Sequence, residues 1–115
     1  MKRGEIWTLQ DDGYASKARP VVIVQSDLVN ESDSVILALF TSVDSKNSSS
    51  RIQIEPGATN GLKKTSYVMV EKLLTVRRTE LGKHVGELTE EQMKAVSHKL
   101  ALVLNITKDD LRSSL

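Results

Sequence analysis

The sequence predicts a mostly-β chain with one C-terminal helix, folded as a small, strongly bent antiparallel barrel. Three observations predict it. Roughly five to seven short apolar or alternating runs follow one another, each bounded by turn residues, as in compact all-β folds. The sustained helical repeat comes late, at Met93, Val96, Leu100, Val103 and Leu104, so the helix packs onto a sheet already formed. No internal repeat and no long linker divides the 115 residues, so residues 1–115 read as one domain, long enough to bury a core without staples.

The elements follow in order. Gly4-Glu5-Ile6-Trp7-Thr8-Leu9 alternates and reads as the first strand, with Ile6 and Leu9 inward and Trp7 favoured as a packing residue over a base-stacking one. The polar segment Gln10 to Lys17 is a loop, and Tyr14 and Lys17 on it are candidates for substrate contact. Ala18-Arg19-Pro20-Val21-Val22-Ile23-Val24 is the stretch around which the rest is arranged. Its consecutive aliphatics predict a strand buried on both faces. Pro20 lacks an N–H, belongs at the strand's start and biases Arg19 towards extended backbone, so the guanidinium stands at the rim of a rigid element. Ser26 to Asn30 predicts one helical turn capped by Ser26 or Asp27.

A second buried run, Val35 to Phe40, ends in the hydroxyls of Thr41 and Ser42. Antiparallel pairing through the Gln25 to Ser34 connection brings those hydroxyls near Arg19. The serine-rich segment Val43 to Ser50, which carries Lys46, is a polar loop. Arg51 to Glu55 alternates strictly, with Ile52 and Ile54 inward. Pro56-Gly57 and Asn60-Gly61 mark turns, and Lys63 and Lys64 follow them. Ser66 to Val76 is the third long β segment. Period two from Val68 and Val70 puts Glu71 on the opposite face, beside Met69 and Tyr67, either ion-paired on a solvated face or placed for chemistry. Leu81 to Leu88 is a last short strand with glycine bends, and His84 on it reads as solvated. Thr89-Glu90-Glu91-Gln92 is a capping-box pattern opening the helix, with His98 off the apolar stripe. Asn105 ends the helix, and Thr107 to Leu111 starts a short extra turn.

Composition removes several classes. Apolar residues make up 39% and charged residues 27%, ordinary for a globular protein. There is no cysteine, hence no disulfide framework and no thiolate metal site, which fits a reducing, cytoplasmic location. No apolar run approaches the roughly 18 residues that span a bilayer, and there is no signal-peptide core, so no membrane partner is expected. The net charge is only +1, but Lys63, Lys64, Lys72, Arg77, Arg78 and Lys83 face just Glu71 and Glu80 within residues 63–84, a stretch able to meet a polyanion.

Neither a Gly-rich phosphate loop nor a metal-ligand cluster nor a Ser-His-Asp set is present in the pattern, so no metal and no cofactor are expected. What remains is Arg19, Thr41, Ser42 and Glu71. Those residue types suit metal-free cleavage of RNA, whose own 2′-OH is the nucleophile: a guanidinium neutralises developing charge, hydroxyls donate to phosphate oxygens and a carboxylate accepts a proton.

Read together, Arg3-Gly4-Glu5-Ile6-Trp7, Arg19 to Val24, Thr41-Ser42, Gly61-Leu62-Lys63-Lys64-Thr65-Ser66 and Glu71-Lys72-Leu73-Leu74-Thr75-Val76 resemble the MazF/PemK-type toxins of bacterial toxin–antitoxin systems. Leu81-Gly82-Lys83, Gly86 and Leu88-Thr89-Glu90-Glu91 extend the resemblance, which runs from Arg3 to about Leu104. It implies an SH3-like barrel, a homodimer, and a sequence-specific, metal-independent endoribonuclease. Such an enzyme cuts single-stranded RNA to 2′,3′-cyclic phosphate and 5′-OH ends and is neutralised by a cognate antitoxin. It implies Arg19 and Thr41 as the catalytic pair, with an acidic residue at the position of Glu71 in some members. Tyr14, Lys17, Ser42, Lys46 and Lys64 are the expected substrate contacts. The chain departs from one branch at Met69, where that branch has an arginine, and in the Asp12 to Lys17 segment, which many relatives lengthen. Two other readings share the fold: a non-catalytic poison of a protein target such as gyrase, and an inactive member that only binds antitoxin. The gyrase poisons rely on a terminal Trp-Gly-Ile, and the sequence here ends Arg112-Ser113-Ser114-Leu115.

Overall fold

A computed structural model of the chain describes residues 1–10, 18–30, 32–44 and 49–112. Six strands are followed by two helices: β1 (Glu5–Gln10), β2 (Ala18–Ile23), β3 (Ser34–Thr41), β4 (Arg51–Ile54), β5 (Ser66–Arg77), β6 (Leu81–Glu87), α1 (Glu90–Val103) and α2 (Lys108–Arg112). One 3₁₀ turn, Arg78–Glu80, joins β5 to β6. Every pairing is antiparallel, in the order β4-β5-β3-β2-β1-β6.

The bent sheet is not closed by a β4–β6 ladder. The β4–β5 connection bridges the gap instead: the Glu87 N–H donates to the Thr59 carbonyl at 2.9 Å. Buried Asn60 organises that connection. Its amide donates to the Glu55 carbonyl (2.8 Å), and its Oδ1 accepts from the N–H groups of Gly57 (3.1 Å) and Leu62 (3.0 Å), so main-chain groups that no strand pairs are satisfied. Two glycines permit the close approach. Gly61 has φ +69°, and a Cβ on Gly86 would lie 2.3 Å from the Thr59 carbonyl oxygen.

The consecutive aliphatics of β2 are buried on both faces, as their run predicts, because alternate residues feed two cores. Val22, with Ile6, Ala38, Phe40, Val68 and Val70, packs under Leu88 and Val96, the latter from α1. Val21 and Ile23 join Val35, Leu37, Val76 and Leu81, with Trp7, Leu9 and Leu39 at the margin. Ile6 and Leu9 both point inward, but into different cores. Trp7 takes the packing role, edge-to-face on His84 with ring centroids 5.4 Å apart.

β5 serves both cores because it bends. It pairs with β3 as Leu39↔Met69 and then as Ala38↔Leu73, so Val70, Glu71 and Lys72 have no β3 partner. Such bulges bend a strand and commonly adjoin functional sites.

The Ser26 to Asn30 stretch forms a hydrogen-bonded turn, not a helical one: Val29 N–H donates to the Ser26 carbonyl (3.0 Å) and Leu28 N–H to Ser26 Oγ (3.1 Å). α1 opens on the anticipated capping box. Thr89 Oγ1 accepts from Gln92 N (3.1 Å), and Gln92 Oε1 accepts from Thr89 N (2.8 Å). Met93, Val96 and Leu100 meet the core, whereas Val103 and Leu104, expected on the same stripe, are exposed. Asn105 (φ 56°) ends the helix in the left-handed region. The bonds Asn105 N–H to Leu102 carbonyl (3.2 Å) and Ile106 N–H to Ala101 carbonyl (2.8 Å) complete a Schellman arrangement. Among the described residues no helix is long and apolar enough to cross a membrane.

Candidate active site

Pro20 decides where Arg19 stands. β2 and β3 pair as Val22↔Ala38 and Val21↔Leu39, and the ladder stops there because Pro20 offers no N–H. Carried two steps further, that register sets Arg19 opposite Thr41 on one face of the sheet. Their outer neighbours are Leu9, paired with Arg19, and Tyr67, paired with Thr41. The Arg19 side chain is exposed and makes no hydrogen bond or ion pair to another described residue. Thr41 is half-buried; its Oγ1 accepts from Val43 N–H at 3.2 Å, which leaves the hydroxyl proton to donate. Ser42 follows, exposed, at a bend.

Arg19 lines a depression of about 470 Å³ with the apolar side chains Leu9, Leu39, Met69 and Leu74, and with Gln10 and Glu80. A cation beside an apolar surface suits a nucleotide, with the base laid on the surface and the phosphate at the guanidinium.

Glu71 lies in the β5 bend. Ser50 Oγ donates to its Oε1 at 2.8 Å, and the Arg51 guanidinium approaches its Oε2 at 3.4 Å. Burial acts to raise its pKa. The Ser50 hydroxyl, its own backbone N–H and the Arg51 charge outweigh that and hold the carboxyl below the usual range. Of the two readings open in the sequence, proton acceptor or ion-paired strand residue, this geometry supplies the second. Both oxygens are occupied, and lowered basicity works against proton abstraction. β3 also separates β5 from β2, and Glu71 lies beyond the Leu39↔Met69 rung, so the ladder does not bring it beside Arg19.

Lys63 and Lys64 are exposed on the β4–β5 connection and share a hollow with Ala18 and Pro20 at the start of β2. Arg78, from the same cation-rich stretch, belongs elsewhere: its Nε donates to the Ser32 carbonyl at 3.3 Å and it lines a different hollow with Met1 and Lys2. The stretch from 63 to 84 is therefore not one basic surface. Tyr14, Lys17 and Lys46 lie outside the described residues. Among the described residues no group of three or more His, Asp or Glu side chains is placed to hold a metal ion.

A family model described as the PemK-like, MazF-like toxin of type II toxin–antitoxin systems matches residues 2–104. The chain belongs to the PemK/MazF toxin family. It is 38% identical over 107 residues to the probable endoribonuclease MazF of Mycolicibacterium smegmatis, covering 92% of this chain and 98% of that protein. It is 33% identical over 93 residues to the endoribonuclease MazF6 of Mycobacterium tuberculosis, covering 79% and 82%. Its fold superposes on an endoribonuclease from a mycobacterial species, solved in complex with its cognate antitoxin, with a TM-score of 0.79 at 26% identity over 93% of this chain and 97% of that one.

Within this PemK/MazF chain, the roles of Arg51, Gln10 and Glu80 escape a reading by periodicity. Alternation places Arg51 opposite Ile52 but does not name its cross-strand partner, so its ion pair with Glu71 depends on knowing that β4 pairs with β5 as Arg51↔Met69. Gln10 reaches the Arg19 depression because β1 pairs with β2 as Leu9↔Arg19 and Gln10↔Ala18, and Glu80 because the turn after β5 leads into β6, which pairs with β1 as Leu9↔Leu81.

Proposed function

We propose that this PemK/MazF protein is an endoribonuclease toxin that cuts single-stranded RNA at a short sequence and is silenced by a cognate antitoxin. The observation that supports the proposal is Arg19 at the edge of an apolar depression, on a β2–β3 register that, extended two steps past its last rung at Val21↔Leu39, leads from Arg19 to Thr41. The relatives named endoribonucleases, and the mycobacterial relative solved with its antitoxin, support the same reading.

In the proposed reaction the 2′-oxygen attacks the adjacent phosphorus and gives up its proton to solvent. The new 2′-O–P bond forms as the P–O5′ bond breaks, and the departing O5′ takes up a proton, leaving a 2′,3′-cyclic phosphate and a 5′-OH. Arg19 neutralises charge as it grows on the non-bridging oxygens, and Thr41 donates a hydrogen bond to one of them. Because the nucleophile belongs to the substrate, no metal or cofactor is required. Ser42 and Lys64, together with Tyr14, Lys17 and Lys46, hold the flanking nucleotides. Glu71 braces the bend through Arg51. An acidic, disordered antitoxin segment laid over the same surface excludes RNA by charge and by occupancy. Residues 1–115 act as one domain, as a homodimer, in the cytoplasm, without a membrane partner.

The test is incubation of the purified protein with a long single-stranded RNA in EDTA, followed by end-mapping. Cuts at one short motif with cyclic-phosphate ends are expected, and Arg19→Ala lowers the rate at least ~100-fold, the scale of losing one preorganised charge donor. A folded Arg19→Ala protein of full activity overturns the assignment.

A further inference from the structure

Successive residues of a strand point to opposite faces, so a strand one residue thick can present two hollows back to back. The start of β2 does this. Arg19 opens onto the depression described above, while its neighbours Ala18 and Pro20 line a separate hollow of about 370 Å³. Half-buried Leu62 and Val85 form the apolar part of this second hollow with Pro20, and exposed Lys63 and Lys64 stand at its edge.

The wall that carries the lysines is held in place. Buried Asn60 accepts from the Leu62 N–H at 3.0 Å and also from Gly57 N–H. Gly61, at φ +69°, lies so close to β6 that a Cβ there would be 2.3 Å from the Val85 carbonyl oxygen. The backbone at Gly61 and Leu62 is thus set before any ligand arrives, with Lys63 and Lys64 next along the chain, which lowers the ordering cost of binding.

We infer that this second hollow is a base pocket for the nucleotide on one side of the scissile phosphate, with Lys63 and Lys64 gripping the next phosphate along. The inference rests on the reading of the substrate as single-stranded RNA. A strand whose phosphate sits at Arg19 has a base on either side of the β2 rim. One meets Leu9, Leu39 and Met69; the other meets Pro20, Leu62 and Val85. An apolar slot edged by two cations, beside a third cation one residue away, matches the alternation of base and phosphate in a nucleic-acid strand. The Arg19–Pro20 ridge then divides two subsites, and the second hollow sets a sequence preference next to the cut.

The experiment measures affinity and cleavage for oligonucleotides carrying the mapped site with single abasic substitutions, using the wild-type chain and Ala18→Trp. Ala18 is exposed at the strand's first residue, so the indole fills the hollow from its edge without entering either core. One flanking position is expected at which base removal weakens wild-type binding about tenfold, the order of one lost base contact. With Ala18→Trp, intact and abasic forms at that position should bind alike. Lys63→Ala/Lys64→Ala should reduce the slope of log affinity against log salt by about 0.7, one single-strand phosphate contact. Additive effects of Ala18→Trp and of every abasic position overturn the proposal, as does an unchanged salt slope. If these changes weaken antitoxin binding but not RNA binding, the hollow serves the antitoxin and the inference is wrong. Wild-type protein that binds but never cuts RNA would sink the nuclease reading instead, and the affinity arm still decides the pocket.

Discussion

Substituting Glu71 by glutamine separates a brace from a proton acceptor, because the two roles predict effects of different size on different quantities. The amide keeps the shape and an oxygen for the Ser50 hydroxyl but loses the charge facing Arg51 at 3.4 Å. Two unit charges at that distance attract by about 1 kcal/mol in water and about 5 kcal/mol at an effective dielectric of 20. The side chains are 20% and 30% exposed, so solvent screens the pair and the measured worth falls towards ~1 kcal/mol. Glu71→Gln should therefore lower Tm by about 3–6 °C and leave kcat/KM within about threefold. The carboxyl's pKa is depressed in the folded state, so its contribution is present above the unfolded value of about 4.3 and is lost as pH falls through the folded one. The stability gap between wild type and variant should be full at pH 7 and close below about pH 4. Thermal denaturation across that range, beside cleavage of a fluorogenic RNA, makes the measurement. A loss of 10²–10⁴ in kcat/KM with Tm unchanged would refute the reasoning and restore Glu71 as general base.

Two further outcomes concern the scaffold. Gly86→Ala forces a Cβ against the Thr59 carbonyl and the Asn60 backbone, neither of which can swing aside, so a loss of about 3 kcal/mol in urea titrations is expected, with the β4–β5 connection the first segment to lose amide protection. Thr89→Ala removes one half of the capping box and should cost about 1 kcal/mol, whereas Thr89→Ser should be close to neutral.

Those features that depend on one strand or one helix were legible without coordinates. The aliphatic run after Pro20 announced a strand buried on both sides, and Thr89 and Gln92 announced the helix start; Pro20, read as the strand's first residue, is instead its third, because β1 pairs on to Arg19 and Ala18 while only the β3 side stops short of the proline. Features that depend on which strands meet were not. Period two gives the face of Glu71 but cannot name Arg51 as its partner, and it cannot reveal that Val70 to Lys72 leave the β3 ladder. Leu9 shows the same limit: it reads as inward, and only the sheet's curl decides into which core. Likewise the C-terminal stripe of α1 is apolar at Val103 and Leu104, yet both are exposed past the point where the helix meets the core.

The bend in β5 ties the molecule's mechanics to its surface chemistry. A single twelve-residue strand supplies Val68 and Val70 to one apolar cluster and Val76 to the other. Neither cluster can melt while the other stays intact, because the same backbone would have to be released from both. Unfolding should accordingly be one all-or-none event reported identically by Trp7 fluorescence on one side and helix signal on the other. Beyond local opening of the connections, loosening of either cluster dismantles the surface on which Arg19 and Met69 lie.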